Sequence, residues 1–316
     1  MKKILFIGGS LNQTTMMFKV AVELQADFDC WFTAFYADGL VHRLAENGLL
    51  DFTILGGQAK RATETFFENN QLKVDYRGLN NGYDLVVIAS DLIVPRNVRS
   101  KNIILIQEGM MTPENFVYQA VKSLRLPRFL GNTSMTGLSH SYQKFCVASA
   151  GFKEMFVKKG ISPQKIEVTG IPNFDDLDRY RQNDFPHQNY VLSATSCLRE
   201  TGQYEDRKAF IFKSLDIAGG RQLLFKLHPN ENHARARREI EKMAPDALIF
   251  ETGNTNHMIA NCETMVTKYS SVLLTALGMG KQVFSDLDPA FAETLRPVQN
   301  GGTSASKIAN ICREYL

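Results

Sequence analysis

Two kinds of hydrophobic pattern take turns along this chain. Short, continuous apolar runs stand at residues 3–7, 29–36, 83–88, 102–106, 142–148 and 165–169, and again at 190–194, 222–225, 247–250, 264–267 and 282–285. Runs this short, and apolar throughout, predict strands of a parallel sheet covered on both faces. Between them lie segments with apolar residues at helical spacing. Residues 14–25 carry Met16, Met17, Val20, Ala21 and Leu24, and similar spacing predicts helices at 41–49, 152–159, 205–215, 232–244, 256–261, 272–277 and 304–316. Residues 52–55 form one more apolar run, and 60–78 mix both signs of charge, as a solvated helix plus loop would. Strand and helix alternating in this way predict an α/β protein.

The alternation breaks once. After the strand at 165–169 the chain reads Gly170-Ile171-Pro172-Asn173-Phe174, a sharp exit, and residues 175–188 are polar, charged and without a strand pattern. They read as a linker. The expected organisation is a first domain at 1–174, the linker at 175–188 and a second domain at 189–316. The final helix would pack on its own domain or cross back to the first. A cleft between two such domains is a common place for a ligand.

Composition narrows the class. The 316 residues are 44% apolar and 22% charged, with a net charge of +3, far from the basic excess of a nucleic-acid binder. Five dispersed cysteines, at positions 30, 146, 197, 262 and 312, show no metal-ligand spacing and read as reduced thiols. The opening apolar run ends at Gly8-Gly9 after four residues, which suits a first strand and not an export signal. No run approaches the roughly 18 apolar residues of a membrane helix. A cytoplasmic protein is expected.

Candidate chemistry gathers where the predicted strands end, the edge at which open parallel sheets bind ligands. Gly8-Gly9-Ser10 follows the first strand; the two glycines either only permit the turn or, through the Gly9 amide, also face a ligand. The full dinucleotide fingerprint is missing. Glu108, between Gln107 and Gly109, follows the strand at 102–106 and is either a general base toward a hydroxyl or a cap on its own turn. His140, in the mildly basic and mobile-looking loop 124–140, is its rival as a base.

In the second half, Thr195-Ser196-Cys197-Leu198-Arg199 offers hydroxyls and a guanidinium for phosphate oxygens. Lys226-Leu227-His228-Pro229 is the strongest cluster: alternation puts Lys226 and His228 on one side, and Pro229 restricts the backbone of His228. A lysine suits a phosphate and a histidine suits a developing leaving-group charge. Lys268-Tyr269-Ser270-Ser271 opens a helix whose first amides would favour an anion. His233 and His257 lack metal-ligand spacing, and no metal site is expected.

With these motifs in place the chain resembles two-domain glycosyltransferases of the GT-B type. Within that type it looks most similar to the group that holds nucleotide-sugar 2-epimerases, lipid A disaccharide synthase, CDP-glycerol glycerophosphotransferases and CMP-Kdo capsule transferases. The carriers are Val168-Thr169-Gly170-Ile171-Pro172-Asn173-Phe174-Asp175, Lys226-Leu227-His228-Pro229, and Ser270-Ser271 with Gly278 and Gly280. The fuller His-Arg-Arg-Glu-Asn-like loop of an epimerase is replaced here by Ser196-Cys197-Leu198-Arg199-Glu200, which disfavours that activity.

The resemblance implies two Rossmann-like domains facing across a cleft, an acceptor domain first and a nucleotide-donor domain second. It implies transfer of a sugar from a CMP-, CDP- or UDP-linked donor to a hydroxyl of a glycan or lipid-linked acceptor, without metal or tightly bound cofactor. Cell-surface glycan synthesis would then place the protein at the inner membrane face, with peripheral membrane association and self-association both compatible. The competing readings are an epimerase or hydrolase, a polyol-phosphate transferase, and a non-catalytic nucleotide-binding assembly protein.

Overall fold

Eleven parallel strands form two separate sheets in the computed structural model, which describes residues 1–316, the side chain of Thr201 excepted. The chain divides into two compact units, Met1–Asp175 with Val298–Leu316, and Asp176–Pro297. The first holds β1 (Lys3–Gly8), β2 (Asp29–Ala34), β3 (Leu85–Ile88), β4 (Asn102–Ile106), β5 (Lys144–Val147) and β6 (Ile166–Val168), in the order β2-β1-β3-β4-β5-β6. The second holds β7 (Val191–Ala194), β8 (Leu223–Lys226), β9 (Leu248–Phe250), β10 (Thr264–Thr267) and β11 (Gln282–Phe284), in the order β11-β10-β7-β8-β9. The direction of winding reverses between β1 and β3 in one sheet and between β7 and β10 in the other. Those are the places where an open parallel sheet splays its loops apart and leaves a crevice.

The central strands are apolar throughout because helices cover both faces. Ile4, Leu5, Phe6, Leu85, Val86, Val87 and Ile103 to Ile106 are sealed from solvent. The turn after β1 shows why glycine stands there. A Cβ on Gly8 would lie 2.6 Å from Thr14 Oγ1, and one on Gly9 would lie 2.7 Å from Ile54 Cδ1. Ser10 then caps the helix Leu11–Val22 by accepting from the Gln13 amide, and Met16, Met17, Val20 and Ala21 face the sheet.

Several segments, the helix Pro289–Thr294 among them, are not given by the pattern. Residues 52–55 form a turn, not a strand or helix, in which the Thr53 hydroxyl donates to Leu50 O and Ile54 lies against Gly9. The helix Phe116–Ser123 is absent from the sequence expectation because only Tyr118 and Val121 on it are buried, too few to set a period. Residues 124–140, read as mobile, are tied down. They contain the 3-10 segment Arg128–Met135, and the wholly buried carboxylate of Asp91 accepts from the amides of Gly137 and Ser139 (both 2.9 Å), while Arg128 donates to Asp91 O.

The polar run that begins at Asp175 is not solvated at its first residue. Asp175 is fully buried and accepts from the Asn300 amide (2.7 Å) and the Ser304 amide (2.6 Å), so it caps the entry to the last helix, Ser304–Glu314. Ser304 Oγ and Asn300 Nδ2 both donate to Thr169 O. Gly170, at φ +76°, sits where a Cβ would meet Ser304 Oγ at 2.3 Å. The Gly-Ile-Pro-Asn exit thus anchors the returning C-terminus within the first unit. Replacing Asp175 by Ala leaves two buried amides unpaired and is expected to cost about 2–4 kcal/mol. Urea unfolding followed through this unit measures it, and an Asn replacement should lose less because it keeps one acceptor.

Candidate functional site

In the first unit the ends of β1 and β4 bring one carboxylate under three donors. Glu108 is half-buried; its Oε1 accepts from Ser10 Oγ at 3.0 Å and Asn12 Nδ2 at 3.5 Å, and its Oε2 accepts from Gln13 Nε2 at 2.6 Å. These bonds fix the direction of both oxygens. Gln13 in turn accepts the Gly9 amide at its Oε1 (2.8 Å), so the amide proposed to face a ligand is already used inside the protein. Gln107, wholly buried, donates to Gly109 O and accepts from the Ala148 amide, which holds the turn after β4 in place. Asn173 reaches across from the exit of β6, its Nδ2 donating to Asn12 O and Oδ1 (both 2.8 Å).

His140 does not join this group. It is exposed, it precedes β5, and Lys165, which precedes β6, donates to His140 O (3.1 Å) and Tyr142 O (2.7 Å). Both contacts place it at the amino edge of the sheet. Glu108 stands at the carboxyl edge.

In the second unit the ends of β7 and β8 are joined by a buried polar network. Glu231, Glu205 and Arg207 are each more than nine-tenths buried. Arg207 Nη2 donates to Glu231 Oε2 (2.8 Å), Glu205 Oε2 (3.1 Å) and Ser196 O (3.2 Å), and its Nε donates to Glu205 Oε1 (3.0 Å). On the other side, Glu231 Oε1 accepts from Thr195 Oγ1 and from the His228 amide (3.1 Å), and the same amide lies 2.9 Å from Thr195 Oγ1. The backbone of His228 is therefore set from within.

Its imidazole is set as well. The Asn230 amide donates to His228 Nδ1 at 3.1 Å, which makes Nδ1 an acceptor and puts the proton of the neutral ring on Nε2. Burial pushes its pKa below the ordinary histidine value; Glu231 opposes the shift and Lys226 adds to it. The ring is a neutral N–H donor near pH 7. Its Nε2 lies 3.8 Å from Cys197 Sγ. That pair is not a nucleophile with its base, because the nitrogen facing the thiol carries a proton and burial raises the thiol pKa.

The cations expected to meet phosphate are spent elsewhere. Lys226 is buried, and its Nζ donates to Leu227 O (2.8 Å) and Glu251 O (3.1 Å), bracing the ends of β8 and β9; burial pushes its pKa down. Arg199 makes a bidentate pair with Glu239 (2.8 and 2.9 Å), which raises its pKa. Lys268 lies 3.7 Å from Asp286, and Pro229 is exposed. Ser270 is half-buried and Ser271 exposed at the start of Val272–Gly278, where Ser271 is already helical in φ/ψ and makes no side-chain cap. Several buried polar atoms have no protein partner, among them Arg207 Nη1 and Ser196 Oγ, the latter beside Cys197 after β7.

Sequence reasoning missed Gln13, Glu205, Arg207 and Glu231. Only Gln13 had a signal, since Ser10-Leu11-Asn12-Gln13 fits a capping box. Nothing in Asn230-Glu231 distinguishes a buried carboxylate from a surface one.

No protein-family model matches the sequence, and no curated protein matches it. Solved structures do match along the whole chain. A UDP-GlcNAc 2-epimerase from Neisseria meningitidis bound to UDP-GlcNAc superposes with a TM-score of 0.58 at 14% identity, covering 99% of this chain and 100% of that one. The MnaA–UDP co-structure from S. aureus gives 0.58 at 12% identity, covering 100% and 97%. The wall teichoic acid polymerase TagF, soaked with CDPG, gives 0.52 at 11% identity, covering 99% and 88%. Likeness at these identities is likeness of fold. The chain is an α/β protein of the GT-B type, with two Rossmann-like domains.

Two measurements check this geometry. The His228 ring should titrate below the usual histidine range with Nε2 protonated, read from 15N shifts of the imidazole. An unfolded chain binds this proton at higher pH than the folded one, so His228 removes stability as pH falls from about 6.5 toward the folded value. Replacing Arg207 by Ala strands two buried carboxylates and should cost about 3–5 kcal/mol in denaturant unfolding.

Proposed function

We propose that the protein is a metal-independent glycosyltransferase that takes a sugar from a nucleotide-activated donor to an acceptor hydroxyl. The observation that carries this reading is His228, a buried-backbone, neutral imidazole whose Nε2–H is presented at the carboxyl end of β8. Such a donor stabilises negative charge that grows on a departing nucleotide phosphate without itself losing a proton. The unpartnered Ser196 hydroxyl, Ser270 and Ser271, on the loops after β7 and β10, complete the donor side at the winding reversal of this sheet. Lys226 and Arg199 hold the loops and do not reach the phosphate.

On the acceptor side Glu108 is the general base. A hydroxyl that displaces a phosphate must lose its proton as it attacks, and a carboxylate whose oxygens are oriented by Ser10, Asn12 and Gln13 can take it. The first unit is then the acceptor domain and the second the donor domain. Directed N–H and O–H donors supply what a metal otherwise would.

Solved relatives in fold are bound to UDP-GlcNAc and UDP or soaked with CDPG, so uridine and cytidine nucleotides come first in a binding panel. One nucleotide class should stabilise the protein against heat, by about 2.7 kcal/mol at a hundredfold excess over Kd. His228→Ala should lose that stabilisation. Glu108→Gln should keep it while lowering acceptor-dependent turnover by about 10²–10⁴-fold. Nucleotide release that needs no acceptor would make the protein a hydrolase or epimerase instead. Absence of any nucleotide-dependent stabilisation would remove the reading altogether.

A further inference from the structure

The first turn of the helix Leu11–Val22 holds a glutamine where a glutamate would cap equally well. Gln13 is the third helical residue after the Ser10 cap, the place from which a capping box reaches back to the cap's own amide. Here its Oε1 takes the Gly9 amide instead, at 2.8 Å. A backbone N–H can only donate, so the carbonyl oxygen faces Gly9 and the NH2 faces Glu108 Oε2, at 2.6 Å. Gln13 is 2% exposed, and a Cβ on Gly9 would stand 2.9 Å from its Oε1, so the side chain has one seat and one orientation. A cap needs only the carbonyl. The NH2 is what separates glutamine from glutamate at this position.

Glu108 receives its donors unevenly. An ionised carboxylate offers about four lone-pair positions, shared equally between its oxygens. Oε1 takes two donors, Ser10 Oγ at 3.0 Å and Asn12 Nδ2 at 3.5 Å, whereas Oε2 takes Gln13 alone, through the shortest of the three bonds. The Ser10 hydroxyl is itself directed: its oxygen accepts from the Gln13 backbone amide at 3.2 Å, which leaves its proton for Glu108. The lone pair left over is therefore on Oε2. All three donors are neutral. So is Gln107 on the same turn, spent on Gly109 O and the Ala148 amide, and Lys19 farther along the helix is bonded to Pro172 O and Asn173 Oδ1.

We propose that Gln13 is the positioning residue of Glu108: it fixes Oε2 and leaves the second lone pair of that oxygen as the point where a proton is taken up. Its use in catalysis rests on the reading of Glu108 as the base. An acceptor hydroxyl then approaches Oε2 from the side away from Gln13. Its O–H bond breaks and the proton passes to Oε2. The freed electron pair forms the bond to the sugar carbon, and the bond from that carbon to the donor phosphate breaks with its pair left on the nucleotide. A glutamate in the seat of Gln13 would still accept the Gly9 amide, but it would set a second carboxyl against the first.

The carboxyl 13C signal of Glu108, assigned by its loss in Glu108→Gln, tests this in the full chain without any substrate. An ionised carboxylate that loses a donor takes up its proton at higher pH, so Gln13→Ala should raise the titration midpoint by about one unit. Gln13→Glu keeps both the volume and the acceptor for Gly9, so it should fold, as a thermal melt checks. Two carboxyls this close share one proton, and its midpoint should rise by about two units. In acceptor-dependent turnover, the rise of kcat with pH should move by the same amounts while KM for the nucleotide donor stays put. A midpoint that keeps its wild-type value in Gln13→Glu, or in a folded Gln13→Ala, overturns the inference. Midpoints that move while the turnover profile does not would leave Gln13 in its role and remove Glu108 as the base, a failure of the transferase reading alone.

Discussion

A parallel sheet makes the chain travel back to the same edge before each strand begins. Everything that follows a strand is therefore gathered at one edge, and everything that precedes a strand at the other. This constraint accounts for the placement of chemistry in both units. Ser10, Glu108 and Asp91 follow β1, β4 and β3, and all three stand on the carboxyl edge; Thr195 and His228 follow β7 and β8 and do the same. His140 has a suitable side chain, but it belongs to the return path into β5, and the Lys165 bonds keep it there. Side-chain chemistry alone ranks it beside Glu108. Direction of travel separates the two.

Beneath the carboxyl edge of the second sheet, the expense is electrostatic. Two carboxylates and one guanidinium lie almost without solvent around Thr195 and the His228 amide. A well-packed apolar cluster would stabilise a loop as well as such a triad. What the triad adds is direction: every oxygen of Glu231 has an assigned partner, so the residues at the ends of β7 and β8 hold one relation to each other. The same burial that makes the network costly also holds the His228 ring neutral, which links the interior of the loop to the protonation state of the group it presents.

The amount of this that sequence could carry follows from what each feature depends on. Strands and most helices were legible because burial on both faces leaves continuous apolar runs, as in Ile103-Ile104-Leu105-Ile106, and burial on one face leaves a helical period, as in Met16, Met17 and Val20. The strand-end positions of Glu108 and His228 were legible for the same reason. Partnership was not. Asp175 reads as part of a polar linker and nothing singles out Glu231, because a buried carboxylate is identified by donors that come from far along the chain, 125 and 129 residues away for Asp175. The helix Phe116–Ser123 escaped because Tyr118 and Val121 are its only buried positions, too few to set a period.

Lys226 and Arg199 show the same limit in a form that bears on chemistry. A lysine two residues before a histidine at a strand end invites a phosphate, yet the strand it ends is central enough for the aliphatic stem to turn inward, where the free carbonyls of Leu227 and Glu251 take the ammonium. Arg199 finds both oxygens of Glu239 before any ligand arrives. With these cations committed, the polar groups left at the edge of the second sheet are mostly neutral: the Nε2–H of His228 beside Cys197, the buried hydroxyl of Ser196 and the half-buried Ser270. Point charges attract an anion from any direction and are weakened by salt, whereas oriented neutral donors act over one bond length and select geometry. Donors of this kind act on an anion by fit more than by attraction, and fit is the property that lets a site favour the geometry in which charge is leaving over the one in which it arrived.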